Sequence, residues 1–300
     1  MQEGFVTVNK VPTRVLCWGG WLTSNDHKEL VLCVPGNPGV TGYYKLFLET
    51  IHTNLGLPVW VLSHAGHEFP QDETQASSDN SQVYGVEEQV QHKIAFIEKY
   101  VPADVKVYLI GHSIGCKLIL EALKNSSVRP KVKKSYLLFP TIERMATSPN
   151  GKFLTSLILP VVPVIVFLSW IFALLPRTVG KGLLHAYFAI RRSKDDAIDA
   201  TMDLICPPVL RNVFHFAADE MTKVVDLDCE TLMSNSDILF LYYGATDGWT
   251  PLNYCKEMKK SCPKVKSVVC KDNFEHAFVL SCGKEVGDMV SDWIKIERTK

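Results

Sequence analysis

The stretch Val105–Leu123, VKVYLIGHSIGCKLILEAL, sets a serine between two glycines at the join of two different patterns. The residues before Gly111 form a compact apolar run, the kind buried on both faces of a parallel sheet. Those after Gly115 read as a helix. Gly111-x-Ser113-x-Gly115 therefore falls where a strand ends and a helix opens. Small residues on either side let the backbone turn sharply, which projects the hydroxyl above the sheet. The helix N-terminus beneath it favours developing negative charge. An ordinary strand-to-helix turn would look the same locally. A nucleophile needs a base, an acid and an oxyanion hole from elsewhere in the chain.

Nine histidines are available as the base. His276, in CKDNFEHAFVL, follows the last strand-like run and precedes the final helix, where the Ser…Asp…His order of such a fold places its base. His112 adjoins the serine, but neighbouring side chains on an elbow point apart. His64 and His67 follow a strand and could line a pocket. His27, His52, His92, His185 and His215 read as surface or satisfied core imidazoles. For the acid, Asp247 in LFLYYGATDGWTP follows a strand end and could face His276, although a plain turn aspartate would read alike. Asp219, Asp226 and Asp228 lie in a region without strands, and Asp237 is at the wrong end of its strand. CVPGNPG makes a tight turn after an early strand, so the backbone N–H groups of Asn37 and Ile114 are the candidate oxyanion hole.

These candidates sit on an alternating framework. RVLCWGG, ELVLCVPG, PVWVLSHAG, VKVYLIGHS and KKSYLLFP read as strands, separated by helices such as GVEEQVQHKIAFIEKYV with Val86, Val90, Ile94 and Ile97 on one face. That rhythm predicts an α/β fold, a mostly parallel sheet with helices on both faces and right-handed crossovers. It spans residues 1–140 and resumes over 237–300; residues 141–236 lack convincing strands and read as an inserted, largely helical hydrophobic cap. FPQDETQASSDNSQ reads as a surface loop.

Net charge is zero over 300 residues, which offers no electrostatic case for nucleic acid or a polybasic membrane anchor. The nine cysteines are odd in number and lack zinc-type spacing, so reduced thiols and no metal are expected. The N-terminus has no apolar core of signal-peptide length, so secretion is not expected. The Asn125-Ser126-Ser127 sequon reads as unused.

The chain resembles the α/β-hydrolase superfamily along nearly its full length. VPGNPGVTGYY, LIGHSIGCKL, FPTIERMATSPNGK, GATDGWTP and NFEHAFVL more closely resemble the lipid droplet-associated hydrolases. The resemblance implies Ser113, Asp247 and His276 as a triad, no cofactor, neutral lipid esters as substrate with sterol esters favoured, and a part in lipid storage. It also implies residence on lipid droplets and the endoplasmic reticulum. In one place the chain departs from the superfamily: many members carry His-Gly-x-Pro where this chain has Pro35-Gly36-Asn37-Pro38.

Phe153 to Leu175, FLTSLILPVVPVIVFLSWIFALL, contains no charged residue and passes the length of a membrane-spanning helix, about 18 apolar residues or more. A single crossing would part Ser113 from Asp247 and His276, so both ends must emerge on one face. Pro160 and Pro163 interrupt helical bonding, and the flanking Lys152, Arg177 and Lys181 give no one-sided charge. A monotopic hairpin over 153–175 meets these constraints, with Leu157, Ile158, Pro160, Pro163, Ile165, Phe167 and Trp170 as lipid contacts and the catalytic core facing the cytosol. GLLHAYFAIRR could add a second interfacial element. Competing readings are a weakly active or non-catalytic droplet scaffold, and an acyltransferase using His67 and Asp72.

Overall fold

The computed structural model describes residues 1–22, 27–70, 82–191 and 197–299. In chain order the elements are β1 (Gln2–Val8), β2 (Val11–Trp18), β3 (Glu29–Val34), α1 (Lys45–Leu55), β4 (Val59–Leu62), α2 (Val86–Tyr100), β5 (Lys106–His112), α3 (Ile114–Ala122) and β6 (Val132–Leu138). Helices α4 (Pro149–Ala173), α5 (Arg177–Arg191), α6 (Ile198–Leu204), α7 (Pro207–Lys223) and α8 (Cys229–Ser234) follow without a strand among the described residues. The alternation then returns as β7 (Leu239–Tyr243), α9 (Leu252–Ser261), β8 (Lys266–Val269) and α10 (Gly283–Arg298).

The eight strands form one sheet in the order β1-β2-β4-β3-β5-β6-β7-β8. From β4 to β8 every pairing is parallel, whereas β1–β2 and β2–β4 are antiparallel. This is an α/β-hydrolase fold. β1 is an addition to the sequence reading, and β2 begins earlier than RVLCWGG indicates. Asn9 and Lys10 both adopt positive φ, 48° and 66°, in the two-residue reversal that joins β1 to β2. That conformation matches the twist of paired strands.

Both faces of the sheet are buried. Along β5, Val107 and Leu109 join one core with Val90, Ile94 and Ile97 of α2. Tyr108 and Ile110 join the other, with Phe47, Leu48 and Ile51 of α1 and Val286, Val290 and Ile294 of α10. The period-two alternation of a doubly covered strand sets this division.

The glycines of the opening motif answer to packing. A Cβ at Gly111 would lie 3.0 Å from the backbone of Cys116 and 2.9 Å from Ile119. A Cβ at Gly115 would overlap the carbonyl oxygens of Val34 and Pro35, so α3 starts directly against the loop after β3. Gly115→Ala must push the two apart. A loss of about 1–3 kcal/mol is expected from such overpacking. Chemical denaturation checks this, and an unchanged midpoint with an unchanged slope would contradict the contact.

Candidate active site

Ser113 stands between the end of β5 and the first turn of α3, with φ 53° and ψ −124°. Its own N–H donates to the carbonyl of Leu138 at 3.0 Å, and its carbonyl accepts from Cys116 N–H at 3.0 Å. The hydroxyl lies 2.8 Å from His276 Nε2, and His276 Nδ1 lies 2.7 Å from Asp247 Oδ2. The consistent proton assignment has Nδ1–H donating to the carboxylate and Nε2 accepting from the serine. Three side chains from distant parts of the chain thus form one relay.

Asp247 follows β7 and is buried. Besides His276, it accepts from Trp249 N–H at 2.7 Å and from Thr250 Oγ1–H at 2.8 Å. Burial pushes its pKa up, but the hydrogen bond and charge of His276, aided by Thr250 and Trp249, outweigh that and leave it below the ordinary carboxylate value. Asp219, Asp228 and Asp237 are engaged elsewhere. Asp219 accepts from Val86 N–H at the start of α2, Asp228 caps α8 through Thr231 N–H, and Asp237 pairs with Arg129.

The loop carrying Asn37 lies against the serine: a Cβ on Gly36 would come within 2.9 Å of Ser113 Cβ. The Asn37–Pro38 peptide is cis. Among the described residues, the backbone N–H groups of Asn37 and Ile114 donate to no protein acceptor. Both are free to receive charge on a substrate oxygen.

Sequence reasoning treated His112 only as pointing away from the serine. It does so, and there it joins two loops. Its Nδ1 accepts from the Tyr44 hydroxyl at 2.6 Å, its Nε2–H donates to the His276 carbonyl at 2.8 Å, and Tyr44 accepts from Gly36 N–H at 2.8 Å. Burial, aided by the neighbouring His276 ring, lowers the His112 pKa to about 3, against the raising effects of the His276 carbonyl and Asp247. A neutral ring with one donor and one acceptor is what these partners require.

His64 and His67 are completely buried behind the Asn37 loop rather than in the pocket. Their rings pack against Phe216, and His67 Nδ1 bonds the Pro38 carbonyl. His52 bonds the carbonyl of Leu57, His92 bonds Thr13, and His27, His185 and His215 are exposed. Asp72, the proposed partner of His67, lies outside the described residues, as does most of the FPQDETQASSDNSQ loop.

Ser113, His276 and Asn37 open into a pocket of about 450 Å³. Its walls are mainly apolar: Met145, Leu154, Leu210, Phe214 and Trp249, with the single carboxyl of Glu220 from α7. Leu154 belongs to α4, so the helix that carries the apolar segment also forms pocket wall.

A family model described as lipid-droplet associated hydrolase matches residues 27–279. The chain belongs to that family. A lipid droplet-associated hydrolase of Drosophila melanogaster is 40% identical over 99% of each chain, and one of Homo sapiens is 33% identical over 100% of this chain and 97% of that one. Among solved structures, the haloalkane dehalogenase DatA of Agrobacterium tumefaciens superposes with a TM-score of 0.68 at 12% identity, covering 99% of this chain and 97% of that one. That likeness concerns the fold alone.

Replacing Asp247 by Asn keeps the shape but removes the charge that orients His276. A fall of about 10³–10⁴ in kcat on a water-soluble ester is expected, with thermal unfolding nearly unchanged. Activity within tenfold of wild type would remove Asp247 from the relay.

Proposed function

We propose that the chain is a serine ester hydrolase that acts on neutral lipid esters at the lipid droplet surface. The relay of Ser113, His276 and Asp247 at the floor of an apolar pocket carries this reading. His276 takes the Ser113 proton as Oγ attacks the ester carbonyl. Asn37 and Ile114 N–H stabilise the oxyanion, and the alcohol leaves with the proton from His276. Water, activated by the same imidazole, then releases the acyl group. Sterol esters are the favoured substrate, and the role is in neutral-lipid storage, cholesterol and triglyceride homeostasis.

The attachment to lipid rests on α4 and α5. Only 6% of the most apolar window of α4 is buried, which argues against a soluble core helix. Leu157, Pro160, Pro163, Phe167 and Trp170 are exposed, with Ile158 and Ile165 half-buried. The prolines do not end the helix. A π turn over Leu154–Ile158 and a 3₁₀ turn over Leu159–Val161 absorb their missing N–H groups, and the helix breaks at residues 174–176 instead. On this reading the inserted hairpin is α4 together with α5, which the helix break at residues 174–176 supports. Val179, Leu183 and Tyr187 of α5 continue the exposed apolar surface at four-residue spacing. Arg177 and Lys181 pair with Asp203 and Asp199.

Ser113 precedes α4 and its two partners follow it, so contact between them supports insertion into one lipid leaflet with the core facing the cytosol. At about half the usual 1.5–3 kcal/mol per buried side chain, Leu157, Val164, Phe167, Leu168, Trp170 and Leu174 together supply roughly 5–9 kcal/mol. No cationic patch is needed. The same surface suits the endoplasmic reticulum, from which a leaflet is continuous onto a droplet.

Two measurements test this reading. Against a panel of sterol, glyceride and simple esters, wild-type protein should hydrolyse neutral lipid esters and Ser113→Ala should be inert. No difference between the two would leave a droplet-bound scaffold as the better reading. Replacing Leu157, Val164, Phe167 and Leu168 together with Ser should release the protein from droplets, spare turnover of a short soluble ester and lower attack on long-chain esters. High salt should not mimic the release. Retention on droplets would place the anchor elsewhere.

A further inference from the structure

Glu220 has no place in the chemistry above, yet it is the one carboxyl in the pocket wall and is 4% exposed. Its Oε1 accepts from Asn37 Nδ2 at 3.0 Å, and the same nitrogen donates to the Val213 carbonyl at 3.0 Å. Both acceptors belong to α7, two turns apart, and together they use both hydrogens of one carboxamide. The side chain of Asn37 is thereby pinned across α7, and its backbone N–H is three bonds from the pinned Cγ.

We infer that Glu220 is a positioning residue for the oxyanion loop, acting through the Asn37 carboxamide on the amide that receives the developing charge. This rests on the reading of Ser113 as nucleophile. The physical reason is local. Without an acceptor at position 220, one Nδ2 hydrogen stays unpaired in an apolar pocket, and the side chain turns to find another partner. The Asn37 amide moves with it. Oxyanion donors tolerate little displacement, because their effect depends on being in place before charge develops.

The same carboxyl gives this loop a dependence on pH. Burial, with Asp219 acting in the same direction and the Asn37 hydrogen bond against it, raises its pKa to about 8. At neutral pH it is uncharged and does not oppose an oxyanion. Once ionised, it puts a negative charge behind the loop that must receive another. Among the described residues, the groups that shift it include no countercharge. Asp219 on the same helix is acidic, and Glu88 of α2 lies beside it. Tyr43, Tyr44 and His112 line the pocket, and burial holds all three neutral at pH 7. His276, on the loop after β8, lines the same pocket. His64 and His67, packed on Phe216, are likewise neutral. Arg144, on the turn against the end of α7, is paired with Glu143 and Glu257.

The test uses full-length protein, a short soluble ester and fluorophosphonate labelling across pH 6–10. Wild-type kcat should fall as pH rises through about 8, reaching about a tenth of its plateau one unit above. Glu220→Gln, which still accepts from Asn37, should match wild type at pH 7 and lose the alkaline fall. Glu220→Leu should lower kcat at pH 7 by about tenfold or more with KM little changed. Labelling should slow in parallel with turnover. A Glu220→Gln variant that keeps the alkaline fall, or a folded Glu220→Leu variant with wild-type kcat, would overturn the role. If wild type neither turned over the ester nor labelled, the functional reading would fail first and this role with it; a labelled wild type beside unaffected variants would sink this role alone.

Discussion

Ser113 keeps a positive φ that a residue with a side chain holds only when its surroundings impose it. The imposition comes from three directions. Leu138 on β6 accepts from its N–H, Gly115 brings α3 hard against the carbonyls of Val34 and Pro35, and Gly36 lets the oxyanion loop lie against its Cβ. Each contact also carries part of the site. The same close approach of α3 to the loop after β3 brings the segments that carry the Ile114 and Asn37 amides together beside Ser113. Loosening the elbow would therefore disperse the proposed nucleophile and oxyanion donors together.

A second layer holds the loops that meet at this point. Tyr44 and His112 run a line of hydrogen bonds from Gly36 to the His276 carbonyl, so the Asn37 loop and the His276 loop share one support. The helices after β6 contribute on the opposite side. α7 lines the pocket and grips Asn37, and it packs against the exposed apolar helix α4. One inserted region thus carries an exposed apolar outer face and, on its inner face, wall of the pocket. The topology permits this because both ends of α4 and α5 return to the same sheet.

Much of this was legible in the sequence because it is local or ordered along the chain. Short β-branched runs ending in glycine or proline mark β3, β5 and β6, and a GxSxG at a strand-to-helix join marks the elbow. Asp247 and His276 stand out because each follows a strand in the required order. What could not be read was long-range. Glu220 is one of two adjacent acids in a helix, and nothing local tells that its partner is Asn37, far away in sequence. His112 looked idle because its partners, Tyr44 and the His276 carbonyl, are also remote. β1 was missed because QEGFVTV is half polar; the signal available was the two-residue reversal at Asn9–Lys10. Pro160 and Pro163 read as interruptions, but they fall where π and 3₁₀ turns accommodate them and the helix runs on to Ala173.

The central claim is that Ser113 alone is the activated nucleophile. The most direct measurement is peptide mass spectrometry of the native protein after brief reaction with a fluorophosphonate at neutral pH. A single adduct on Ser113, lost when the protein is unfolded before reaction, is the predicted result. An adduct on another serine, or none on native protein while its fold is intact, would contradict it.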